Sequence, residues 1–211
     1  MPIERHERFP EMRDALRDLC SRFPDEYFLK IDEQRGYPEA FIKALTEAGW
    51  LSVMIPQEYG GSGLGLAEAS VVMEEINRCG GNAGACHGQM YNMSTLLRHG
   101  SEQQKQLYMP KIASGEWRLQ SMAVTEPTTG TDTTKLKTTA VKKGDRYVVN
   151  GQKVWISRLQ HSELMILLAR TTPIDQVKRK SEGMSIFMVH LDQAVGHGME
   201  MRLIPNMVNH E

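Results

Sequence analysis

The sequence predicts an α+β protein in two domains, an all-α helical half followed by an antiparallel β-sheet or small barrel, and three observations carry this reading. Up to about residue 114, apolar residues recur every three or four positions, the period of helices with one buried face. From residue 118 onward the pattern changes to short apolar runs separated by turn residues, as paired strands require. Gly115 and Glu116 mark the change. The expected domains are residues 1–117, helical, and residues 118–211, a β-domain left incomplete at its end.

Each helix has its own signal. Residues 11–22 place Met12, Ala15, Leu16 and Leu19 on one stripe, and Phe23-Pro24 closes the segment. A second helix is expected near Pro38, a residue whose missing donor costs nothing at a helix start; Phe41, Ile42, Leu45 and Ala48 form its buried stripe, and Gly49 caps it. Residues 50–56 read as an extended connection held in the core. Leu66, Ala69, Val72, Met73 and Ile76 mark a helix over residues 66–78, which Gly80-Gly81 interrupts. The helix over residues 83–98 sets Cys86, Met90, Met93 and Leu97 on a common stripe, suited either to ordinary core packing or to lining a ligand slot, with Met90 the candidate slot residue. Ser101 and Gln104 stand at capping-box spacing for a last helix, which bends near Pro110. About five helices result.

In the second half, residues 135–141 and 147–149 read as strands joined by a turn at Lys142 to Asp145. Asn150-Gly151, the strongest hairpin dipeptide in the chain, is expected to lead into a strand over residues 153–156. Residues 163–170 read as a central strand and residues 184–190 as another, with a polar loop over 173–183 between them; residues 197–203 begin one more. These strands are few for an isolated sheet, whose edges need pairing or cover.

Composition excludes several classes. With 25 Lys+Arg against 26 Asp+Glu there is no electrostatic case for a nucleic-acid partner. No apolar run is long enough to cross a bilayer, and a start as charged as Glu4-Arg5-His6-Glu7-Arg8 does not fit a signal peptide, so the expected compartment is the cytoplasm. Cys20, Cys79 and Cys86 show no Cys-x-x-Cys spacing and read as unbridged thiols in or near cores. His87 has no partner at metal-ligand spacing. The glycines of Tyr59-Gly60-Gly61-Ser62-Gly63-Leu64-Gly65 do not form a dinucleotide fingerprint, because Leu66 or Glu68 stands where the third glycine belongs; they read as a tight loop ahead of a helix.

The stretch from Ser121 to Asp132 is the pivot between the halves: a short apolar run bends at Glu126-Pro127 and ends in a polar turn centred on Gly130. Such a segment presents backbone donors and short hydroxyls at a sheet edge, suited to a flat polar ligand or a phosphate. Residues 150–157 follow closely enough to pair with it, and together the two stretches are expected to form one wall of a cofactor site.

The motifs Val124-Thr125-Glu126-Pro127-x-x-Gly130-x-Asp132, Lys137-Thr138-x-Ala140, Tyr147-x-x-Asn150-Gly151-x-Lys153-x-Trp155-Ile156 and Ile55-Pro56-x-Glu58-Tyr59-Gly60-Gly61 resemble those of the acyl-CoA dehydrogenase family. The resemblance runs from about residue 9 to the end, and the Thr-Glu-Pro and Asn-Gly…Trp-Ile motifs are specific in combination. It implies an N-terminal helical domain and most of a middle β-domain, with a C-terminal helical domain absent. It also implies FAD as cofactor, an acyl-CoA substrate, a homotetrameric or dimeric assembly, and reoxidation by electron-transfer flavoprotein. The implied reaction is α,β-dehydrogenation: a carboxylate removes the α-proton while the β-hydrogen leaves as hydride to the flavin.

Carried over by position, Met122, Val124 and Thr125 would approach the flavin ring, with Thr125 bonding its pyrimidine side. Gly130 and Thr131 would reach the pyrophosphate or the nearby thioester, which also makes Thr131 a substrate-side candidate. Trp155 would stack beside the ring, and Ile156 and Ser157 would supply contacts near N5. Taken singly, Trp155 fits a core aromatic, and Thr125 and Thr131 fit turn residues; the joint motif is what assigns them. The family's catalytic glutamate falls beyond Glu211, so no acid here is nominated as the base, Glu126 is assigned to bracing its turn, and the chain alone is expected to be inactive. Three positions depart from the family pattern: Thr128-Thr129 after the proline, Arg158-Leu159 after Ser157, and Leu203-Ile204-Pro205-Asn206. They suggest an acyl group that is polar or branched. A flavin oxidase or monooxygenase on the same fold is the alternative activity, and a non-catalytic assembly or binding role is a third.

Overall fold

The computed structural model describes residues 8–205. Within them the chain divides into two compact units, the first closing at Trp117 and the second running from Arg118 to Ile204.

The first unit contains six helices: α1 (Pro10–Ser21), α2 (Asp25–Glu33), α3 (Glu39–Glu47), α4 (Leu66–Arg78), α5 (Gly84–His99) and α6 (Glu102–Ser114). The sequence reading missed α2. It buries no residue completely, so it lacks an aliphatic stripe. What docks it is aromatic: Tyr27 packs edge-on against Phe23 and Phe28 against Phe41, with ring centroids 5.2 Å apart in each pair. Around this cluster Leu16, Ile42, Leu45, Val72, Ile76 and Cys86 complete the core. Four expected stripes need correcting at one position each. Ala15 of α1 and Ala48, just past α3, are exposed. Leu66, in the first turn of α4, is exposed, and Leu96 rather than Leu97 is the buried leucine near the end of α5.

Residues 50–56 are buried as expected but are not extended. Gly49 turns left-handed at φ 78°, and Trp50–Ser52 then forms a 3-10 turn. The glycine loop after it folds back on this segment: Gly63 donates to the Ile55 carbonyl at 2.8 Å and Leu64 to the Val53 carbonyl at 2.7 Å. A Cβ on Gly61 would stand 2.1 Å from the Ile55 carbonyl oxygen. The glycines therefore allow backbone to lie on backbone, and the loop amides that a phosphate would need are already engaged. Ser101 and Gln104 form the expected reciprocal cap of α6, and Pro110 sits inside that helix.

One buried ion cluster joins α1 to α4. Glu75, 1% exposed, accepts from Arg13 at 2.6 Å and from Arg17 at 2.9 and 3.0 Å. Burial works against its charge, but the two guanidinium groups hold its carboxyl below the ordinary range.

The second unit is a five-stranded sheet of β1 (Ser121–Ala123), β2 (Thr139–Lys143), β3 (Arg146–Asn150), β4 (Leu164–Arg170) and β5 (Met184–His190), followed by a short helix, α7 (Leu191–Ala194). β4 is central, as its apolar run predicts. The sheet is mixed rather than purely antiparallel. β1 and β2 pair in parallel with opposite ends of β4, at Ser121↔Met165 and Thr139↔Arg170, whereas β5 pairs antiparallel along all of β4. The hairpin between β2 and β3 turns at Gly144, φ 65°.

Asn150-Gly151 does not form the expected hairpin. β3 ends there, and a Cβ on Gly151 would lie 2.2 Å from the Thr138 hydroxyl, so the glycine serves a close crossing instead of a turn. Residues 197–203 do not form the expected strand either; one isolated bridge, Val195↔Met199, is all the pairing there. The loop over 173–183 is closed by Arg170, whose guanidinium donates to the carbonyls of Glu182, Lys180 and Thr134. Among the described residues no helix is long and apolar enough to cross a membrane.

Replacing Glu75 with alanine leaves Arg13 buried without its closest carboxylate. A loss of about 3–5 kcal/mol is expected in chemical denaturation of the helical unit, against less than about 1 kcal/mol for removing the exposed partner Glu74.

Candidate functional site

The two stretches singled out by sequence do meet in the β-unit, and they run antiparallel to each other. The Val154 amide donates to the Thr125 carbonyl at 3.0 Å, and the Ser121 hydroxyl donates to the Ser157 carbonyl at 2.9 Å. Between these ties the Lys153 ammonium donates to the Val124 carbonyl and to Glu126, each at 2.9 Å.

Glu126 is the hub, and its role is to brace, as its motif position suggests. The carboxylate is 5% exposed. It accepts from the Lys137 amide at 2.6 Å, the Thr138 amide at 2.9 Å, the Thr138 hydroxyl at 2.5 Å and Lys153. Burial pushes its proton affinity up, but the Thr138 hydroxyl, the two amides and Lys153 together bring it down to about 2. The bend expected at Glu126-Pro127 is a tight turn from Glu126 to Thr129, whose amides and carbonyls bond reciprocally, and Gly130 follows it. Thr129 is buried and donates its hydroxyl to the Lys135 carbonyl. Sequence reasoning underrated both Thr129, seen only as a departure from pattern, and Lys153, quoted in a motif but given no role.

The candidate residues fall into three groups. Met122 and Val124 are half-buried on the strand face opposite Ala123, while Thr125, Trp155 and Ser157 lie beside them in the linked stretches. Among the described residues, the hydroxyls of Thr125 and Ser157 and the amides of Trp155, Ile156 and Ser157 have no hydrogen-bonding partner. Trp155 is 69% exposed and sits at φ 64°, a left-handed backbone that a bulky residue rarely adopts. Ile156 needs correction: its side chain packs into the β core with Ala123, Met165 and Leu167, so only its amide is available. At this left-handed backbone the indole points out while the neighbouring isoleucine packs in.

Gly130 and Thr131 form the second group. Both are exposed in the next turn, no hydrogen bond joins them to residues 153–157, and a Cβ on Gly130 would meet nothing within 4 Å. Asp132 organises that turn by accepting from Thr134, and this hydrogen bond lowers its proton affinity. Met90 belongs to the helical unit, where it is 3% exposed and packs in the core, the ordinary-packing alternative of the two the sequence offered.

Three unpartnered amides, two hydroxyls and an exposed indole within the linked stretches are donors and a flat apolar surface of the kind a flavin ring uses. The sequence comparisons agree with this class of protein. Residues 6–116 match the model of the acyl-CoA dehydrogenase N-terminal domain, and residues 121–208 match that of the middle domain. Among curated relatives, the mitochondrial isovaleryl-CoA dehydrogenase of Bos taurus is 37% identical over 169 residues, 76% of this chain and 39% of its own. A cyclohex-1-ene-1-carbonyl-CoA dehydrogenase of Syntrophus aciditrophicus is 32% identical over 202 residues, 92% of this chain and 48% of its own.

Solved structures give the same answer. An acyl-CoA dehydrogenase from Geobacillus kaustophilus superposes with a TM-score of 0.78 at 30% identity, covering 88% of this chain and 49% of that one. A prolyl acyl carrier protein oxidase superposes at 0.75 with 28% identity, covering 87% and 48%. The chain thus carries the N-terminal and middle domains of a flavoprotein fold. It belongs to the acyl-CoA dehydrogenase family, whose cofactor is FAD, and it spans about half the length of the relatives it matches, or somewhat less.

Because Glu126 is charged when folded and its proton affinity is lowered from 4.5 to about 2, its stabilisation is complete above about pH 4.5 and disappears as pH falls toward 2. The contribution expected is about 3 kcal/mol. Glu126→Gln should remove about that much at pH 7 and flatten this acid limb, read from urea melts at pH 7 and pH 3.

Proposed function

We propose that the protein carrying these two domains is an FAD-dependent acyl-CoA dehydrogenase that oxidises a branched or cyclic acyl thioester to its 2-enoyl product. The observation that carries the reading is the ledge of Thr125 and Trp155 to Ser157, whose donors and indole are left unused by the fold. Bound FAD supplies the two-electron acceptor. The Thr125 hydroxyl would hold the pyrimidine edge, and the Ser157 hydroxyl and amide would face the N5 side, where donors stabilise the charge of the reduced ring. Trp155 would cover the ring and keep water from it. Met122 and Val124 would give an apolar floor, and Gly130 and Thr131 would take the pyrophosphate. The α-proton acceptor is not assigned to this chain; Glu126, already saturated with four donors and hard to protonate, is unsuited to that work.

Support for a branched or cyclic acyl group comes from relatives named for isovaleryl and cyclohexenecarbonyl thioesters, together with the Thr128-Thr129 and Arg158-Leu159 departures. Electron-transfer flavoprotein as acceptor and a homo-oligomeric assembly belong to the same proposal. The oxidase relative favours a second reading, in which oxygen is the acceptor and the acyl group rides on a carrier protein.

An anaerobic panel of acyl-CoA thioesters added to the FAD-loaded full-length protein should bleach the flavin absorbance faster with isovaleryl-CoA or a cyclic acyl-CoA than with straight-chain ones; equal rates across the panel overturn the substrate assignment. Mixing the reduced protein with oxygen and, separately, with electron-transfer flavoprotein decides the acceptor. Trp155→Gly relieves the left-handed strain while losing the indole. Its melting temperature should stay within a few degrees of the parent while FAD affinity falls about tenfold or more. A large loss of stability with FAD binding intact would instead make Trp155 a structural residue.

A further inference from the structure

The flavin ledge leaves the three cysteines unexplained, and two of them share a cavity in the helical unit. Arg13 and Arg17 of α1 both bond Glu75 of α4, which fixes the register of the two helices. One turn beyond that ion cluster, Cys20 lies on the same stripe of α1 and Cys79 at the end of α4. Their side chains interact directly, and both line an open cavity of about 340 Å³ together with Arg17, Phe23, Asp25 and Arg78. Neither is bridged, and they differ in access: Cys20 is buried whereas Cys79 is half-buried.

We propose that Cys20 and Cys79 are a thiol pair that reacts with a low-molecular-weight disulfide entering this cavity and closes to an intramolecular disulfide between α1 and α4. In the first step the Cys79 thiolate attacks one sulfur of the small disulfide; a mixed disulfide forms and one small thiolate leaves, taking up a proton. In the second the Cys20 sulfur, giving up its proton, attacks the Cys79 sulfur and expels the second small thiol. The two protein thiols are oxidised, the small disulfide is reduced to two thiols, and no other oxidant is needed.

Access decides the order of events. Cys79 opens on the cavity, and its thiol is held toward the Ile76 carbonyl at 3.0 Å. Burial, the neighbouring Cys79 and the charge of Glu75 push the Cys20 thiol up to about 12. Cys20 therefore acts second and slowly, so the mixed disulfide on Cys79 builds up first and then closes to the Cys20–Cys79 bridge, which is the end state. Cys86, fully buried in the same core, takes no part because small reagents do not reach it. The resulting ring encloses about 60 residues, a loop long enough for the bridge to stabilise the helical unit appreciably.

The test treats the full chain with oxidised glutathione, blocks the remaining thiols by alkylation and maps the peptides by mass spectrometry. The expected product is a Cys20–Cys79 cross-linked peptide with Cys86 free, accompanied by a rise in melting temperature of about 5 °C or more. In Cys20→Ser, glutathione should remain attached to Cys79; in Cys79→Ser, neither adduct nor cross-link should form. The serine variants are checked for parental melting temperature in the reduced state, and the parent chain provides a test that does not depend on them. The proposal is overturned if Cys79 of the parent stays unmodified, if its glutathione adduct persists without closing, or if the cross-link formed involves Cys86.

Discussion

The β-unit depends on one buried carboxylate. β1 and β2 lie along the same edge of β4 but pair with its two ends, so the chain between Ala123 and Thr139 must leave the sheet and return without a ladder to satisfy its amides. Glu126 takes over that role, accepting the Lys137 and Thr138 amides and the Lys153 ammonium at once. A carboxylate taken from water alone would cost several kcal/mol. Four donors more than offset this, as its lowered proton affinity records. Lys153 gains in the same exchange, because its long stem is buried and its head finds two acceptors.

The shape of the ledge follows from that constraint. Lys153 and Val154 are tied to residues 124–126, the Ser157 carbonyl is tied to Ser121, and Ile156 is half-buried against Ala123, Met165 and Leu167. Trp155 is the residue between two fixed points. Its backbone takes up the mismatch by turning left-handed, with the indole outward and its own amide and those of Ile156 and Ser157 without partners in the unit. Arg158, φ 59°, repeats the device as the chain turns toward β4.

What was legible in the sequence follows a physical division. Elements whose signal is local and aliphatic were readable: α4 over its full length, the reciprocal cap of α6, the apolar β4 and the hairpin at Gly144. α2 was hidden because aromatic edges, not an aliphatic stripe, hold it in place. The parallel pairing of β1 and β2 with β4 joins residues far apart in the chain, and no local pattern encodes it. Asn150-Gly151 misled because the dipeptide reports a permitted turn, while here the glycine is needed for passage against Thr138. At the site, the motifs indicated that residues 121–132 and 150–157 meet. They could not separate Trp155 from Ile156, since facing is decided by packing, nor reveal Lys153 as the link.

The same hydrogen bonds separate the part of the site that builds the fold from the part held in reserve. Ser121, Glu126, Thr129, Thr138 and Lys153 have their polar groups engaged within the unit, and removing any of them acts first on stability. Thr125, Trp155 and Ser157 contribute no side-chain hydrogen bond to it. A bulky residue in the left-handed region carries about 1–2 kcal/mol of strain, and an uncovered indole forgoes about 2 kcal/mol or more of apolar burial. The strain opposes folding and the forgone burial is a gain not taken, and neither is made up by contacts within the unit comparable to those of Ile156. An arrangement that is unfavourable for the isolated fold yet fixed in place by an over-determined frame is what a preorganised binding surface requires: the frame bears the strain in advance, and under the proposed function a ring laid over Trp155 would gain the burial that the fold leaves untaken.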